Sequence, residues 1–242
     1  MVDRYRTALR AMPPDARERY LIDNSRLPGP RANLELVVAA AEELTSSELR
    51  RYAGEDDEFL VMCGAVGLGR LLADGDRLAE DVLRQLAGDE RWRVREGVAM
   101  ALQRLGDADV TAMLDVAEDW ARDASPYVRR AAVAGACEPR LIVDDAVASL
   151  VLALLDSVTG SIVGVPPAEA RTGGFRALRK ALGYCWSVAI AASPDEGFAC
   201  FERWVTGDDT NVRWVVRQNL RKSRLRRADP GRVADLQDRV DL

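Results

Sequence analysis

Histidine is absent from this 242-residue chain. Its absence excludes Ser-His and Cys-His nucleophile arrangements and nearly all catalytic zinc sites. Any acid–base chemistry would fall to Asp, Glu, Lys, Tyr or Cys. Aromatic residues make up only 6% of a chain that is 48% hydrophobic and 30% charged, a globular rather than a disordered composition. No two of the four cysteines, Cys63, Cys137, Cys185 and Cys200, share a Cys-x-x-Cys spacing. They lie in apolar helical stretches, so buried free thiols are expected, with no disulfide framework, metal site or cofactor. The longest nearly apolar stretch, residues 146 to 155, is only ten residues long. A membrane-spanning helix needs about 18 or more. The first residues, with Asp3, Arg4 and Arg6 before Pro13-Pro14, carry no signal-peptide pattern, and a cytoplasmic location is expected.

What is present is a recurring phrase. Asp89 precedes Val94-Arg95, Asp123 precedes Val128-Arg129, and Asp208-Asp209 precedes Val212-Arg213. Asp56 precedes Val61-Met62 at the same offset, with Met in place of Arg. The valines step by 33, 34 and 84 residues, the last being two steps of about 42. Periods of this size mark stacked helical repeats. No segment alternates with period two, so no sheet is expected. The expected fold is all-α: a right-handed superhelix, or α-solenoid, of five to six helix pairs in one domain spanning 1–242.

Turn and cap residues divide the chain. Asn33 reads as a helix cap, and Thr45 and Glu48 sit at capping-box spacing. Asp57, Asp76, Asp109 and Asp144 read as helix starts, and Ser125-Pro126 places proline at a first helical position. Gly106-Asp107 reads as a turn. Residues 156–174, with four glycines and two prolines, read as the one long loop and a hinge. Gly64, Gly67 and Gly69 lie within a helical stretch with no strand before them. Close helix packing explains them better than phosphate binding does.

Helix pairs with Asp in the turn and Val-Arg opening the second helix resemble HEAT repeats. That resemblance implies that Arg95, Arg129 and Arg213 hold neighbouring repeats together. The run from Arg91 through Trp92 and Arg95 to Ala99 is also similar to the HEAT-like alkylpurine DNA glycosylases of the DNA alkylation repair family. So is the stretch from Asp123 to Cys137. This second resemblance implies duplex DNA held in a concave groove and a carboxylate that stabilises an oxocarbenium-like sugar. By the repeat step the carboxylate position falls on Met62, and the nearest acids are Asp56, Asp57 and Glu58.

The net charge is −5, but residues 203–227 hold eight Arg and Lys against Asp208 and Asp209. That asymmetry points to an anionic partner near the basic C-terminal repeat, 195–227. Arg91, Arg95, Arg130, Arg217 and Arg221 are the candidate phosphate contacts. Trp92 and Trp214 are the candidate stacking groups. Tyr184 and Trp186 are expected in the core, and Trp120 and Trp204 read as structural. The expected function is duplex DNA binding through Arg-rich second helices, without catalysis. One alternative is a DNA N-glycosylase for cationic alkylated bases, with Asp57 or Glu58 as a relocated carboxylate. Another is a protein–protein scaffold.

Overall fold

Short polar side chains start many of the helices. Asp57 Oδ1 accepts from the backbone N–H groups of Phe59 and Leu60 at 2.9 and 3.0 Å. Asp209 does the same for Asn211 and Val212. Asn33, Asp76 and Asp144 cap in like fashion, and Thr45 with Glu48 closes a full capping box. Each such cap is worth about 1 kcal/mol, because it satisfies N–H groups the helix cannot pair internally. The computed structural model describes residues 2–241, which form sixteen α-helices and, among the described residues, no strand.

The chain divides into two compact units, Met1–Asp109 and Val110–Leu242. The first holds α1 (Val2–Ala11), α2 (Pro14–Asp23), α3 (Leu34–Glu43), α4 (Ser46–Tyr52), α5 (Glu58–Ala73), α6 (Arg77–Leu86) and α7 (Trp92–Ala108). Here α1, α3, α5 and α7 pack in succession, while α2, α4 and α6 pack against members of that row. Helix α5 is apolar on nearly all sides, and all but three of its sixteen residues are buried. A methyl group at Gly64 would meet the backbone of Ala53, and one at Gly69 the carbonyl of Ala101. These glycines let α4 and α7 approach backbone to backbone.

The second unit holds α8 (Val110–Ala121), α9 (Pro126–Ala136), α10 (Asp145–Gly160), α11 (Pro167–Ala170), α12 (Gly173–Ala192), α13 (Pro194–Val205), α14 (Thr210–Leu220), α15 (Ser223–Ala228) and α16 (Pro230–Asp241). Two rows form within it. One runs α9–α12–α14, with α15 against α12 and α14; the other runs α8–α10–α13–α16. The buried Trp186 indole ties the rows together, donating to Thr159 Oγ1 at 3.0 Å and tilting against Phe201.

Two boundaries differ from the sequence reading. Gly106-Asp107 makes no turn: Gly106 is buried inside α7, and the helix ends only where Asp109 becomes extended, at φ −152°. The 156–174 segment is largely helical. Helix α10 continues to Gly160 because Val158 and Thr159 are buried, and Thr172 already caps α12. The two compact units meet in sequence at Asp109–Val110.

Candidate functional site

In the first unit many of the arginines are bound internally. Arg6 and Arg10 share Glu43, and Arg17 meets Glu48 at 2.9 Å. Arg104 pairs with Glu42, and Arg70 donates to the carbonyls of Glu42 and Leu44. The hydrogen bond from Arg10 is the main reason the Glu43 carboxyl lies below its ordinary range, with burial opposing it and Arg6 assisting. Burial works against the charge of Glu48, yet bonds from Thr45 and Arg17 outweigh it and hold that carboxyl low as well.

The candidates of this unit join the same pattern. Arg91 grips both carboxylate oxygens of Asp89, at 2.9 and 2.6 Å, and donates to the Asp56 carbonyl at 2.8 Å. The bond from Arg91 lowers the Asp89 pKa. Arg95 donates to the carbonyls of Asp89 and Glu90, bracing the turn before α7. Trp92 is 54% exposed, with the Arg93 guanidinium 4.7 Å from its ring centre. One carboxylate oxygen of Asp57 caps α5, and Glu58 pairs with Arg93 at 3.0 Å. Met62 is 2% exposed, and its Cγ lies 3.3 Å from where a Gly97 Cβ would stand. Met62, where the resemblance to the glycosylases would put a carboxylate, is therefore a core position.

In the second unit charge is sorted by row. Helices α9, α12, α14 and α15 carry ten Arg and Lys and no Asp or Glu. Helices α8, α10 and α13 carry eight Asp and Glu against one basic residue, Arg203. Arg203 is itself paired with Asp156, which also accepts from the Trp204 indole. In the basic row Arg129 donates to Ser161 Oγ at 2.8 Å, and Arg213 to the Val240 carbonyl. Arg217 reaches the same carbonyl at 3.2 Å. Arg130 is half-buried on α9, and Arg221 is exposed at the end of α14.

The row opens into a cleft of about 510 Å³ between α12 and α14. Arg176, Arg179, Lys180 and Lys222 line it with Tyr184 and Trp214, and no Asp or Glu is among its lining residues. No ion pair joins any of these four cations to a described carboxylate. The Arg179 guanidinium lies 4.7 Å from the Trp214 ring centre and donates to Asn211 Oδ1 at 2.8 Å. Arg224 lies 4.8 Å from the Tyr184 ring centre and donates to its hydroxyl at 3.1 Å. The walls are held close from within. Buried Asn219 accepts from the Ser187 N–H and donates to the carbonyls of Leu182 and Val215. A Cβ at Gly183 would stand 2.9 Å from Trp214, so glycine lets the indole lie against α12.

Of the seven candidate contacts, Arg91, Trp92 and Arg95 gather at the start of α7. Trp214 enters the cleft, and Arg217 and Arg221 lie on its helix or at its end. Arg176, Arg179, Lys180 and Lys222 are not among the contacts expected from the sequence. Tyr184, expected in the core, is 41% exposed. The missed signal is the spacing of Arg176, Lys180 and Tyr184 along one face of an acid-free helix. Trp186 is buried, as expected, because two residues of helix turn it about 200° from Tyr184.

The cysteines are free; Cys63, Cys137 and Cys185 are buried, and Cys200 is half-buried. Burial pushes the Cys63 and Cys137 thiols well above their usual range. No cluster of three or more His, Cys, Asp or Glu among the described residues could hold a metal ion. No helix among them is long and apolar enough to cross a membrane.

Residues 60–136 match the family model for HEAT repeats. No curated protein matches the chain. Two crystal structures of engineered proteins are similar to it. One is 15% identical with a TM-score of 0.40, covering 94% of this chain and 97% of its own. The other is 15% identical with a TM-score of 0.38, covering 81% and 97%.

Proposed function

We propose that the second unit binds duplex DNA through the row α9–α12–α14 and α15, without chemistry on the DNA. The observation that carries this reading is the row's charge: ten cations and no carboxylate in four helices that pack side by side. A phosphate backbone offers regularly spaced negative charge, and neutralising it releases counterions. Arg and Lys contacts of this type position a duplex without reading its sequence. The contacts proposed are Arg130, Arg176, Lys180, Arg217 and Arg221.

Base excision is not part of the proposal. The candidate carboxylates Asp57 and Glu58 are engaged in a helix cap and an ion pair, and Met62 is buried. A protein-binding role has one observation of its own in favour. A groove of about 230 Å³ between α8 and α10 carries exposed Leu150 beside Asp115 and Glu118.

The test is fluorescence anisotropy with a labelled 20-base-pair duplex between 50 and 200 mM salt. Binding should weaken with a log–log slope of about −0.9 per phosphate neutralised. Arg176→Ala with Lys180→Ala and Arg221→Ala should flatten that slope. Absence of binding at 50 mM salt, or binding indifferent to the triple variant, overturns the reading.

A further inference from the structure

We infer that the α12–α14 cleft takes one unpaired nucleotide of a DNA strand, base and phosphate together. The inference deepens the duplex-binding reading and rests on it. A flat, sequence-blind phosphate surface needs no concavity, yet this row contains an open cleft of about 510 Å³.

The lining matches the two halves of a nucleotide. Tyr184 and Trp214 give the cleft two aromatic walls; Arg224 and Lys222 lie over the Tyr184 ring and Arg179 over the Trp214 ring, so a base would stack on the face these cations leave. Gln218 lies beside them, and its amide carries both a donor and an acceptor for a base edge. Arg176, Lys180 and Lys222 supply positive charge for the phosphate, and no lining carboxylate opposes it. A cationic guest would meet these charges unfavourably, and a purely apolar one would leave them unused. The aromatic walls are also fixed before any ligand arrives. Arg179 and Asn211 hold the Trp214 side, Arg224 holds the Tyr184 hydroxyl, and Asn219 locks the two helices. Such preorganisation lowers the ordering cost of binding.

A fully paired duplex keeps its bases stacked inside, so it cannot fill the cleft without extruding one. Extrusion costs a few kcal/mol, and less where the base is already unpaired. The cleft should therefore favour DNA with an unpaired nucleotide.

The experiment compares a paired 20-base-pair duplex with the same duplex carrying a single-nucleotide bulge, in wild type, Tyr184→Leu and Trp214→Leu. Titration with dAMP alone is run in parallel. The expected preference for the bulge is roughly ten-fold, the scale of one base stacked on an aromatic ring. In both variants it should fall to about one. Tyr184 is exposed, so its variant tests the idea even if Trp214→Leu fails to fold. Salt-sensitive binding of both duplexes with a wild-type ratio of one overturns this inference and leaves the duplex reading intact. A preference that survives Tyr184→Leu also overturns it. Binding of dAMP with no preference for the bulge would assign the cleft to free nucleotides and overturn the strand assignment. Failure of both duplexes to bind would sink the parent reading as well.

Discussion

The two units distribute arginine differently. In Met1–Asp109 several guanidinium groups turn inward: Arg17 to Glu48, Arg93 to Glu58 and Arg104 to Glu42. They join helices, and their charge is cancelled where it stands. In Val110–Leu242 the acids are concentrated in one row of helices and the cations in another. Internal charge serves cohesion in the first unit, while the second gathers basic side chains on helices that carry no Asp or Glu. Arginine content alone therefore does not mark a binding surface. The absence of carboxylates on the same row is the feature on which the proposed surface rests.

The sharpest way to break this comparison is to reverse charge in the second unit. Arg176→Glu with Lys180→Glu and Arg221→Glu should weaken duplex binding by about 100-fold at 50 mM salt, given a slope change of about 0.9 for each phosphate no longer neutralised. The melting temperature should barely move, since none of the three pairs with a described carboxylate. An equal loss of folding stability would mean that these cations are structural after all. The mirror experiment is Arg17→Ala in the first unit. Glu48 would lose a charge-assisted bond at a buried position, costing about 2 kcal/mol in urea denaturation. Duplex affinity should stay within two-fold of wild type.

Smaller effects sharpen the picture. Gly183→Ala would press on Trp214 and Gln218, with an expected cost of about 1–2 kcal/mol. It should reduce the bulge preference more than paired-duplex affinity. Acid should act most gently. Glu43, Glu48 and Asp89 have lowered folded pKa values, so their contribution is fully present above the ordinary carboxylate range. It is lost as the pH falls through the lower folded values. Urea midpoints should hold from pH 7 to about 5 and decline below about 4. A midpoint that rises on acidification would contradict those ion pairs.

Helix starts were the legible part of the sequence. Asn33, Thr45, Asp57, Asp76 and Asp144 act on backbone groups two or three residues away, so their role shows in a short window. The all-α repeat fold followed from the Val-Arg period, and residues 60–136 match HEAT repeats. The cleft was not legible, because Tyr184 and Trp214 are brought together by helix packing over thirty residues of chain. Nor was the fate of Arg91. Its partner, Asp89, is two residues away, but only the backbone turn decides that the two side chains meet. Gly106 misled for a related reason: its small size serves packing inside α7 rather than a bend.

The sorting of acidic and basic helices into separate rows has a kinetic consequence. It gives the second unit an electric dipole moment across its thickness, even though the whole chain is net negative. In the field of a polyanion such a body experiences a torque before it touches the strand, and the favourable face leads. Added salt should then slow arrival more than it hastens departure. Stopped-flow association and dissociation rates, measured separately, would register that imbalance.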